Sequence, residues 1–463
     1  MYTSYIGKKF LNYYNKKENT NLQAREFFDT VLFPLFFDNE KHLMHVSNSP
    51  FFQKPSKEFL KEGVTKSQAQ LAKLHNDIDK EVPNMGTFVG YAAKDVHETT
   101  SGQVTDMNYK IDSEEMFASW IGESLSIGIS GGFAIAIDNE ELLYNIFLGA
   151  KYYREYLSKT PNVKDKQIQT WNGHWFAHYY SKNFDENNIW SGFELETKEI
   201  QGNIAIPTIQ WTQIVFVLSK IFPDKQITIY AYNLSQTNTT LGFIQLYLQQ
   251  CQRLYQFRDK FFFDKEKSIL NDKQIEQFQT FYNFKDACKQ GTIGLKSLEP
   301  KGLRDYIPIG SYPYSKGKDY KFKEESYLNY LIYKLWVIAM LNKQELLDLA
   351  EKMAKSLIEN EGNNSKPSTK TSTSEELNKA SNEEYSSESS NRGKTAKSRL
   401  SLELLESKNT KVFIENLSEL MQKQTSNADM FKEVVKEVLN MPVDNFPLFV
   451  VLIKFEYYYQ KSR

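Results

Sequence analysis

The sequence predicts a helix-rich α+β protein, in which a large mixed α/β body is followed by a C-terminal helical bundle. Three observations lead to this prediction. Many stretches repeat apolar residues at helical spacing. The run QITIYAY in the middle of the chain is β-branched and aromatic, which is typical of a strand. Further along, a long polar stretch separates the body from a tail with helical stripes. With 463 residues, the chain is long enough for one large core or for two to three modules.

Apolar residues spaced three and four apart predict the helices of the body. The pattern is strongest where Leu142, Leu143, Ile146 and Phe147 share one helical face. Pro207 occupies a favoured first-turn position and opens another helix. The predicted helices are residues 21–37, 67–80, 113–124, 140–158, 207–222 and 248–262.

Alternation and β-branched residues predict the strands. The predicted strands are the first half of residues 86–105, residues 190–206, residues 226–232, and residues 239–246 as a partner for 226–232. The small apolar stretch SIGISGGFAIAID (126–138) is either a buried strand or a tightly packed helix, because periodicity does not distinguish the two.

Residues 359–397 contain almost no apolar side chains. Such a segment cannot bury enough apolar surface to offset its ordering entropy, so it predicts a disordered linker. We therefore predict a body over 1–324, a long helix or helix pair over 325–358, the linker, and a helical bundle over 398–463. Stripes of apolar residues in the tail would pack against the long helix.

Composition excludes several classes of protein. The formal net charge is -1, which argues against a non-specific nucleic-acid coat but leaves a local basic groove open. The chain has only two cysteines, Cys251 and Cys288, so we expect neither a disulfide scaffold nor a thiolate zinc site. The N-terminus lacks the apolar core of a signal peptide, and no apolar run approaches the roughly 20 residues of a membrane span. These features predict a cytoplasmic protein that does not enter membranes.

Asp185, Glu196 and Lys198 form a candidate catalytic group. On a strand, alternation would place Glu196 and Lys198 on one face. Two carboxylates could hold Mg²⁺ to activate water, and the lysine could stabilise developing charge, as in restriction-endonuclease-like folds. The alternative is an ordinary solvated strand face, because Glu-x-Lys arises by chance in any charged chain.

Histidine pairs at a spacing of four would share a helical face, which suits zinc. His174 and His178 are four residues apart, and His42 and His45, which are three apart, form a second candidate pair. No adjacent glutamate completes a metalloprotease motif, so we favour packing among aromatic side chains.

Four glycines, Gly122, Gly128, Gly131 and Gly132, fit neither a dinucleotide-binding nor a P-loop fingerprint. We interpret them as sites of close backbone packing.

Two polar loops and two basic segments suit nucleic-acid contacts. Gln103 and Asn238 lie in polar loops whose side chains could read base edges. Lysines interleaved with aromatic residues suit contacts along a phosphate backbone. The candidate basic residues are Lys301, Arg304, Lys316 and Lys318. Ordinary turn chemistry and a solvated loop remain the alternatives.

Four stretches together resemble the large subunit of a type I CRISPR Cascade effector. They are ASWIGESLSIGISGGFAIAID (118–138), LLYNIFLGAKYYREYL (142–157), QTWNGHWFAHYYSKNF (169–184) and YAYNLSQTNTTLGFI (230–244). The architecture, a mixed body with a C-terminal helical bundle, is also similar, and the resemblance covers most of the chain. Some large subunits carry a cysteine-rich zinc element, which a chain with two cysteines cannot form.

The resemblance implies binding rather than catalysis. Proteins of this family recognise a short protospacer-adjacent motif in double-stranded DNA, help to open the duplex and support the displaced strand. The implied partners are double-stranded DNA, guide RNA and the other effector subunits of a prokaryotic antiviral complex. No resident cofactor is implied, and a helicase-nuclease would be recruited separately.

Two other classes of function remain open. One is a Mg²⁺-dependent DNA endonuclease that uses Asp185, Glu196 and Lys198, with Mg²⁺ as its cofactor. The other is a non-enzymatic interaction scaffold whose tail binds helices, an interpretation that the nearly neutral net charge favours.

Overall fold

A computed structural model describes residues 1–93, 95–96, 104–107, 109–362, 399–423 and 427–463. The chain divides into two compact units. The first unit comprises Met1–Gln252 with Tyr282–Gly294, and the second comprises Arg253–Phe281 with Leu295–Arg463. The domain boundaries drawn from composition stay predictions.

Helices outweigh strands, which confirms the helix-rich α+β class. In chain order the helices are α1 (Tyr2–Glu18), α2 (Ala24–Phe27), α3 (Phe33–Phe36), α4 (Lys66–Ile78), α5 (Ser113–Ser124), α6 (Glu140–Lys159), α7 (Ile168–Tyr179), α8 (Trp211–Ile221), α9 (Leu248–Phe261), α10 (Asp264–Ile269), α11 (Asp272–Gln277), α12 (Phe284–Cys288), α13 (Tyr327–Leu341), α14 (Gln344–Gly362), α15 (399–405), α16 (Thr410–Lys423), α17 (Ala428–Asn440) and α18 (Phe446–Lys461). A π-helical turn, Phe28–Leu32, joins α2 to α3.

The first unit contains a five-stranded sheet in the order β1-β2-β5-β6-β7. Its strands are β1 (Ile127–Ile129), β2 (Phe133–Ile137), β5 (Gln226–Asn233), β6 (Gln236–Tyr247) and β7 (Thr292–Ile293). All neighbours pair antiparallel except β6 and β7, which are parallel. Side chains such as Ile227 and Ile229 alternate into the core, as a half-buried strand requires. A separate hairpin joins β3 (Lys198–Ile200) to β4 (Asn203–Ala205).

Helices α1 and α5 of the first unit cross through two glycines. A Cβ atom on Gly7 would lie 1.8 Å from the carbonyl oxygen of Ala118. A Cβ atom on Gly122 would lie 1.9 Å from the carbonyl oxygen of Thr3. The two backbones therefore touch, as expected for Gly122, and the contact fixes α5 directly before its residue Glu123.

The second unit is built around α18, whose residues from Phe446 to Tyr457 are all buried. A largely apolar helix that is buried on all sides belongs at the centre of a bundle. Helices α13 and α14 pack against it. They are the predicted helix pair, and the chain turns between them where Asn342 adopts the left-handed conformation (φ 50°).

Several predicted elements match the structure closely. Helix α5 has the predicted bounds, α6 extends one residue further, and β5 with β6 forms the predicted strand pair. The stretch 126–138 folds as the hairpin of β1 and β2, which turns at Gly131 and Gly132 with φ of 97° and 81°.

Two predicted strands were wrong, and one predicted helix starts later than expected. The strand predicted in the first half of 86–105 is a set of turns with one isolated bridge, between Ala93 and Val104. The strand predicted over 190–206 is irregular up to residue 197, and only the short hairpin of β3 and β4 follows. The helix predicted from Pro207 starts at Trp211. The predicted linker begins inside α14, and from residue 363 it lies outside the described residues.

Candidate functional site

A cleft of about 510 Å³ opens in the first unit. Its wall is formed by residues around 45–48, 85–91, 166–170 and 234–238, together with Glu123 at the end of α5. Hydroxyl and amide side chains alternate along this wall with apolar ones such as Val46, Val89 and Leu234, so the cleft offers both polar and apolar contacts. This volume lies within the range of about 300–1,000 Å³ that small-molecule sites occupy.

Glu123 is the most unusual residue of the cleft because its carboxylate is only 3% exposed. The Tyr232 hydroxyl donates a hydrogen bond of 2.9 Å to Oε2, and the Gln169 amide donates one of 3.0 Å to Oε1. Burial raises the pKa of Glu123 to about 7, and these two hydrogen bonds limit the rise. No cation pairs with the carboxylate among the residues that the structure describes.

Buried side-chain hydrogen bonds from Asn172 and Trp120 connect the segments around Glu123. Asn172 on α7 donates hydrogen bonds of 2.9 Å to the carbonyl oxygens of Ser124 and Ser126, which ties α7 to the end of α5. The Trp120 indole donates a hydrogen bond of 3.0 Å to the carbonyl oxygen of Thr87, which anchors the loop over residues 85–91 to α5. The cleft is therefore largely pre-formed.

The polar loop between β5 and β6 forms one edge of this cleft. Asn233 shapes it by accepting hydrogen bonds from the backbone N–H and the hydroxyl of Ser235, at 2.9 Å and 2.8 Å. Asn238 lines the cleft, and its Nδ2 atom is buried without a hydrogen-bond partner in the described structure. Gln103, the other candidate base-reading residue, lies outside the described residues.

In the second unit, Arg304 does not present its charge to solvent. It is 5% exposed and makes hydrogen bonds of 2.6 Å and 2.9 Å to the carboxylate of Glu299. Arg304 also donates a hydrogen bond of 2.9 Å to the carbonyl oxygen of Pro313. Its guanidinium lies 4.0 Å from the centre of the Phe281 ring. These contacts hold together the loop that contains Glu299 and Pro313. The predicted phosphate contact of Arg304 is therefore wrong, because its guanidinium is enclosed.

The three candidate lysines of this loop are exposed. Lys316 forms an ion pair of 3.2 Å with Asp305, and its side chain is 68% exposed. The carbonyl oxygen of Lys318 accepts a 3.1 Å hydrogen bond from the buried ammonium of Lys454. The carbonyl oxygen of Lys301 accepts one of 3.1 Å from the Tyr333 hydroxyl. The backbone carbonyl oxygens of Lys301 and Lys318 are thus anchored while all three lysine side chains are exposed, which suits contacts with phosphate.

The structure does not place Asp185, Glu196 and Lys198 on one regular strand, as the endonuclease hypothesis requires. Asp185 lies exposed in a loop, where it accepts a 2.9 Å hydrogen bond from the backbone N–H of Asn187. Glu196 lies exposed in an irregular segment, and the strand starts only at Lys198. The alternation that would place Glu196 beside Lys198 is therefore missing. Among the described residues, no cluster of three or more histidine, cysteine or acidic side chains is placed to hold a metal ion.

The histidines of α7 each contact a backbone carbonyl oxygen. His174 Nε2 lies 2.7 Å from the oxygen of Pro207, and His178 Nε2 lies 2.6 Å from that of Ile189. His178 also packs against the Phe193 ring at 4.7 Å between centroids. Burial lowers the pKa of both histidines, as packing among aromatic residues predicts.

No protein-family model, no curated protein and no solved structure matches this chain. No helix in the described parts of the chain is both long and apolar enough to span a membrane.

Sequence reasoning missed Glu123 and Gln169. The available signal was a single carboxylate within the otherwise apolar and small stretch ASWIGESLSIG. A charge in such a stretch is expected to be buried, and a buried charge needs an explanation. Its partners could not be identified, because Gln169 and Tyr232 are 46 and 109 residues away in sequence.

Proposed function

We propose that this chain is the DNA-binding large subunit of a type I CRISPR antiviral surveillance complex. In this proposal it recognises a protospacer-adjacent motif in double-stranded DNA and supports strand opening, and it is not itself catalytic. It acts in the cytoplasm with guide RNA and other effector subunits, and it requires no resident cofactor. Four stretches of the sequence resemble this family, and the geometry of the cleft supports the same function.

The observation that carries the proposal is the convergence of polar side chains on the cleft of the first unit. The loop between β5 and β6, which the sequence marks as a candidate base reader, forms one edge of it. Gln169 and Thr170 of α7 line the same cleft. Direct reading of bases requires a few fixed donors and acceptors of this kind.

The exposed lysines of the second unit support the other half of the proposal. Phosphate contacts give affinity and position without sequence preference, whereas base contacts give specificity. Lys301, Lys316 and Lys318 supply positive charge on an anchored loop. A protein with base-reading side chains and phosphate-binding lysines needs no catalytic group to select a DNA site.

The test is binding and cleavage of a supercoiled plasmid library with Mg²⁺, by the purified chain alone and with its neighbouring gene products. We expect motif-dependent binding without cutting, and only when the partners are present. Asn238→Ala should weaken binding of the selected motif roughly tenfold. The matched control is Asn12→Ala, which alters an exposed asparagine of α1.

Two outcomes would replace the proposal. Cutting by the chain alone, abolished by Glu196→Ala, would establish the Mg²⁺-dependent endonuclease. Absence of any DNA retention, with or without the partners, would leave the interaction scaffold.

A further inference from the structure

The buried carboxylate of Glu123 determines how the amide of Gln169 is oriented. Above its pKa of about 7 the Glu123 carboxylate is ionised and only accepts hydrogen bonds, so the Gln169 group that faces it is then the amide nitrogen. If the amide were reversed, its oxygen would face a carboxylate oxygen, and the two acceptors would repel each other. Glu123 therefore removes the freedom to flip that a glutamine side chain ordinarily has.

With its nitrogen held in this way, Gln169 has one free acceptor. Its Oε1 has no hydrogen-bond partner among the described residues and is not a buried atom, and the residue lines the cleft. The cleft therefore presents a carbonyl oxygen of fixed position to whatever enters it. Tyr232 supports the arrangement from β5, because its hydroxyl donates to the other oxygen of Glu123.

We propose that the cleft accepts one unpaired nucleotide of the opened DNA, and that Gln169, positioned by Glu123, selects a base with an amino group at purine C6 or pyrimidine C4. This inference rests on the proposed function and names the ligand of the same cleft. The selected bases are adenine and cytosine. The disfavoured bases are guanine and thymine, which present a keto oxygen at the corresponding position of the Watson–Crick edge.

The chemistry of the base edges explains the selection. An amino group of adenine or cytosine donates to Oε1, while the second N–H of the Gln169 amide remains able to donate to the adjacent ring nitrogen. A keto base in the same pose places an oxygen against Oε1 and a ring N–H against the amide N–H. A mismatched pair of this kind is disfavoured roughly tenfold to a hundredfold.

Glu123 acts as a positioning residue in this proposal, since it contacts Gln169 rather than the base. Its role is separable from a purely structural one. In Glu123→Gln the new amide can present either its oxygen or its nitrogen to Gln169, so both orientations of Gln169 become accessible. The prediction is a loss of discrimination without a comparable loss of overall DNA affinity.

The experiment uses the full chain with its partner subunits and duplex DNA that carries the selected motif. One nucleotide beside the motif is left unpaired, in four versions that differ only in its base, and the position of that nucleotide is varied along the opened region. Competition binding gives the ratio of affinities for amino bases over keto bases. We expect at least tenfold preference for the wild type, near-equal binding for Glu123→Gln, and weaker binding of adenine and cytosine for Gln169→Leu.

The outcomes separate the inference from the proposed function. Equal binding of all four versions by the wild type, with motif dependence retained, would overturn the inference alone. No motif-dependent binding of any version would overturn the proposed function. If Glu123→Gln keeps the preference for adenine and cytosine, Glu123 does not position Gln169 for the selection. Thermal unfolding identifies any variant that fails to fold. If Glu123→Gln does not fold, Gln169→Leu provides the test instead. The control Asn12→Ala should keep the wild-type ratio of affinities for amino bases over keto bases.

Discussion

Glu123 is a single residue whose burial destabilises the ionised protein, and such residues often belong to functional sites. A carboxylate removed from water without a cation is destabilising when ionised, so proteins rarely keep one for the sake of the fold. Groups whose pKa is strongly shifted by burial cluster at functional sites. Glu123 combines such a shift with a position in the wall of the cleft and with a hydrogen bond that orients a neighbouring side chain.

The pH dependence of the free energy of unfolding measures how much the buried, ionised Glu123 destabilises the protein. Burial raises the pKa of Glu123 from 4.5 to about 7, so the folded state binds the proton more tightly than the unfolded state does. Stability from this group is therefore fully present below pH 4.5 and is lost as the pH rises through 7. The loss is about 3 kcal/mol when complete.

We predict that Glu123→Gln removes this dependence. Chemical denaturation at pH 4.5 and pH 8 should show the variant gaining about 3 kcal/mol relative to the wild type between the two conditions. A difference in the free energy of unfolding that stays constant across this range would contradict a buried, ionisable Glu123.

A second buried charge, Lys334, differs because it has partners. Its ammonium lies 2.7 Å from the carboxylate of Glu456 and 3.4 Å from that of Glu351. Burial opposes the charged form of Lys334, but the carboxylates of Glu456, Glu351 and Glu266 together outweigh that effect, and the pKa of Lys334 is raised. Tyr330 donates a hydrogen bond of 3.2 Å to Glu456, so the pair lies in a connected polar network.

Lys334→Met should destabilise the protein by about 3–5 kcal/mol, because Glu456 would remain buried without its cation. The double variant Lys334→Met with Glu456→Gln should recover much of that loss, since both charges are then gone. Lys355→Met is a matched control, because Lys355 is 73% exposed and its ion pair contributes little. Urea denaturation of the three variants measures the differences, and a double variant no more stable than Lys334→Met alone would argue against a coupled pair.

At the scale of elements, the crossing of α1 and α5 positions the acid of the cleft. The helices touch through Gly7 and Gly122, and Glu123 is the next residue along α5. A methyl group at position 122 cannot be accommodated without separating the two backbones, because the atom it would meet is a backbone oxygen at 1.9 Å.

Gly122→Ala should therefore destabilise the protein by about 3 kcal/mol or more, although alanine is the better helix former. Thermal or urea unfolding provides the measurement. The control Asn12→Ala, on the exposed face of α1, should change stability by less than about 0.5 kcal/mol. If Gly122→Ala were neutral or stabilising, the close crossing would be wrong.

The elements also show which parts of the fold the sequence could predict. Helices α5 and α6 and strand β5 were predicted within a residue or so, because helical spacing of apolar residues and a β-branched, aromatic run are visible in the sequence. Residues 190–197 alternate like a strand but form an irregular segment. Phe193 faces Trp171 at 5.3 Å and His178 at 4.7 Å, so aromatic packing rather than sheet pairing explains the burial pattern.

The candidate site was less predictable than the fold. Asn238 was found because polar residues in a tight loop between two strands are visible in the sequence. Glu123 and Gln169 were missed because their contact joins two helices that are distant in sequence. Arg304 was assigned to phosphate because composition does not reveal that its guanidinium is enclosed by Glu299 and Phe281.

At the scale of the whole molecule, the formal net charge of -1 limits how DNA is attracted. A nearly neutral protein generates no strong long-range field, so its affinity for phosphate depends on a few local cations. Of the candidate basic residues, the exposed ones are Lys301, Lys316 and Lys318. DNA binding should therefore depend on salt only modestly, with a slope set by the number of lysines that contact phosphate.

Lys316→Gln with Lys318→Gln should weaken binding to motif-bearing and motif-free DNA by the same factor, because phosphate contacts carry no sequence information. The slope of log affinity against log salt should fall by about 2, roughly one unit for each lost contact. Lys411→Gln with Lys432→Gln removes the same charge from exposed helical positions, with side chains 84% and 71% exposed, and should leave the slope unchanged. Salt titration of binding by the complex measures both variants. An equal fall in the two double variants would mean that net charge, rather than the anchored loop, governs DNA binding.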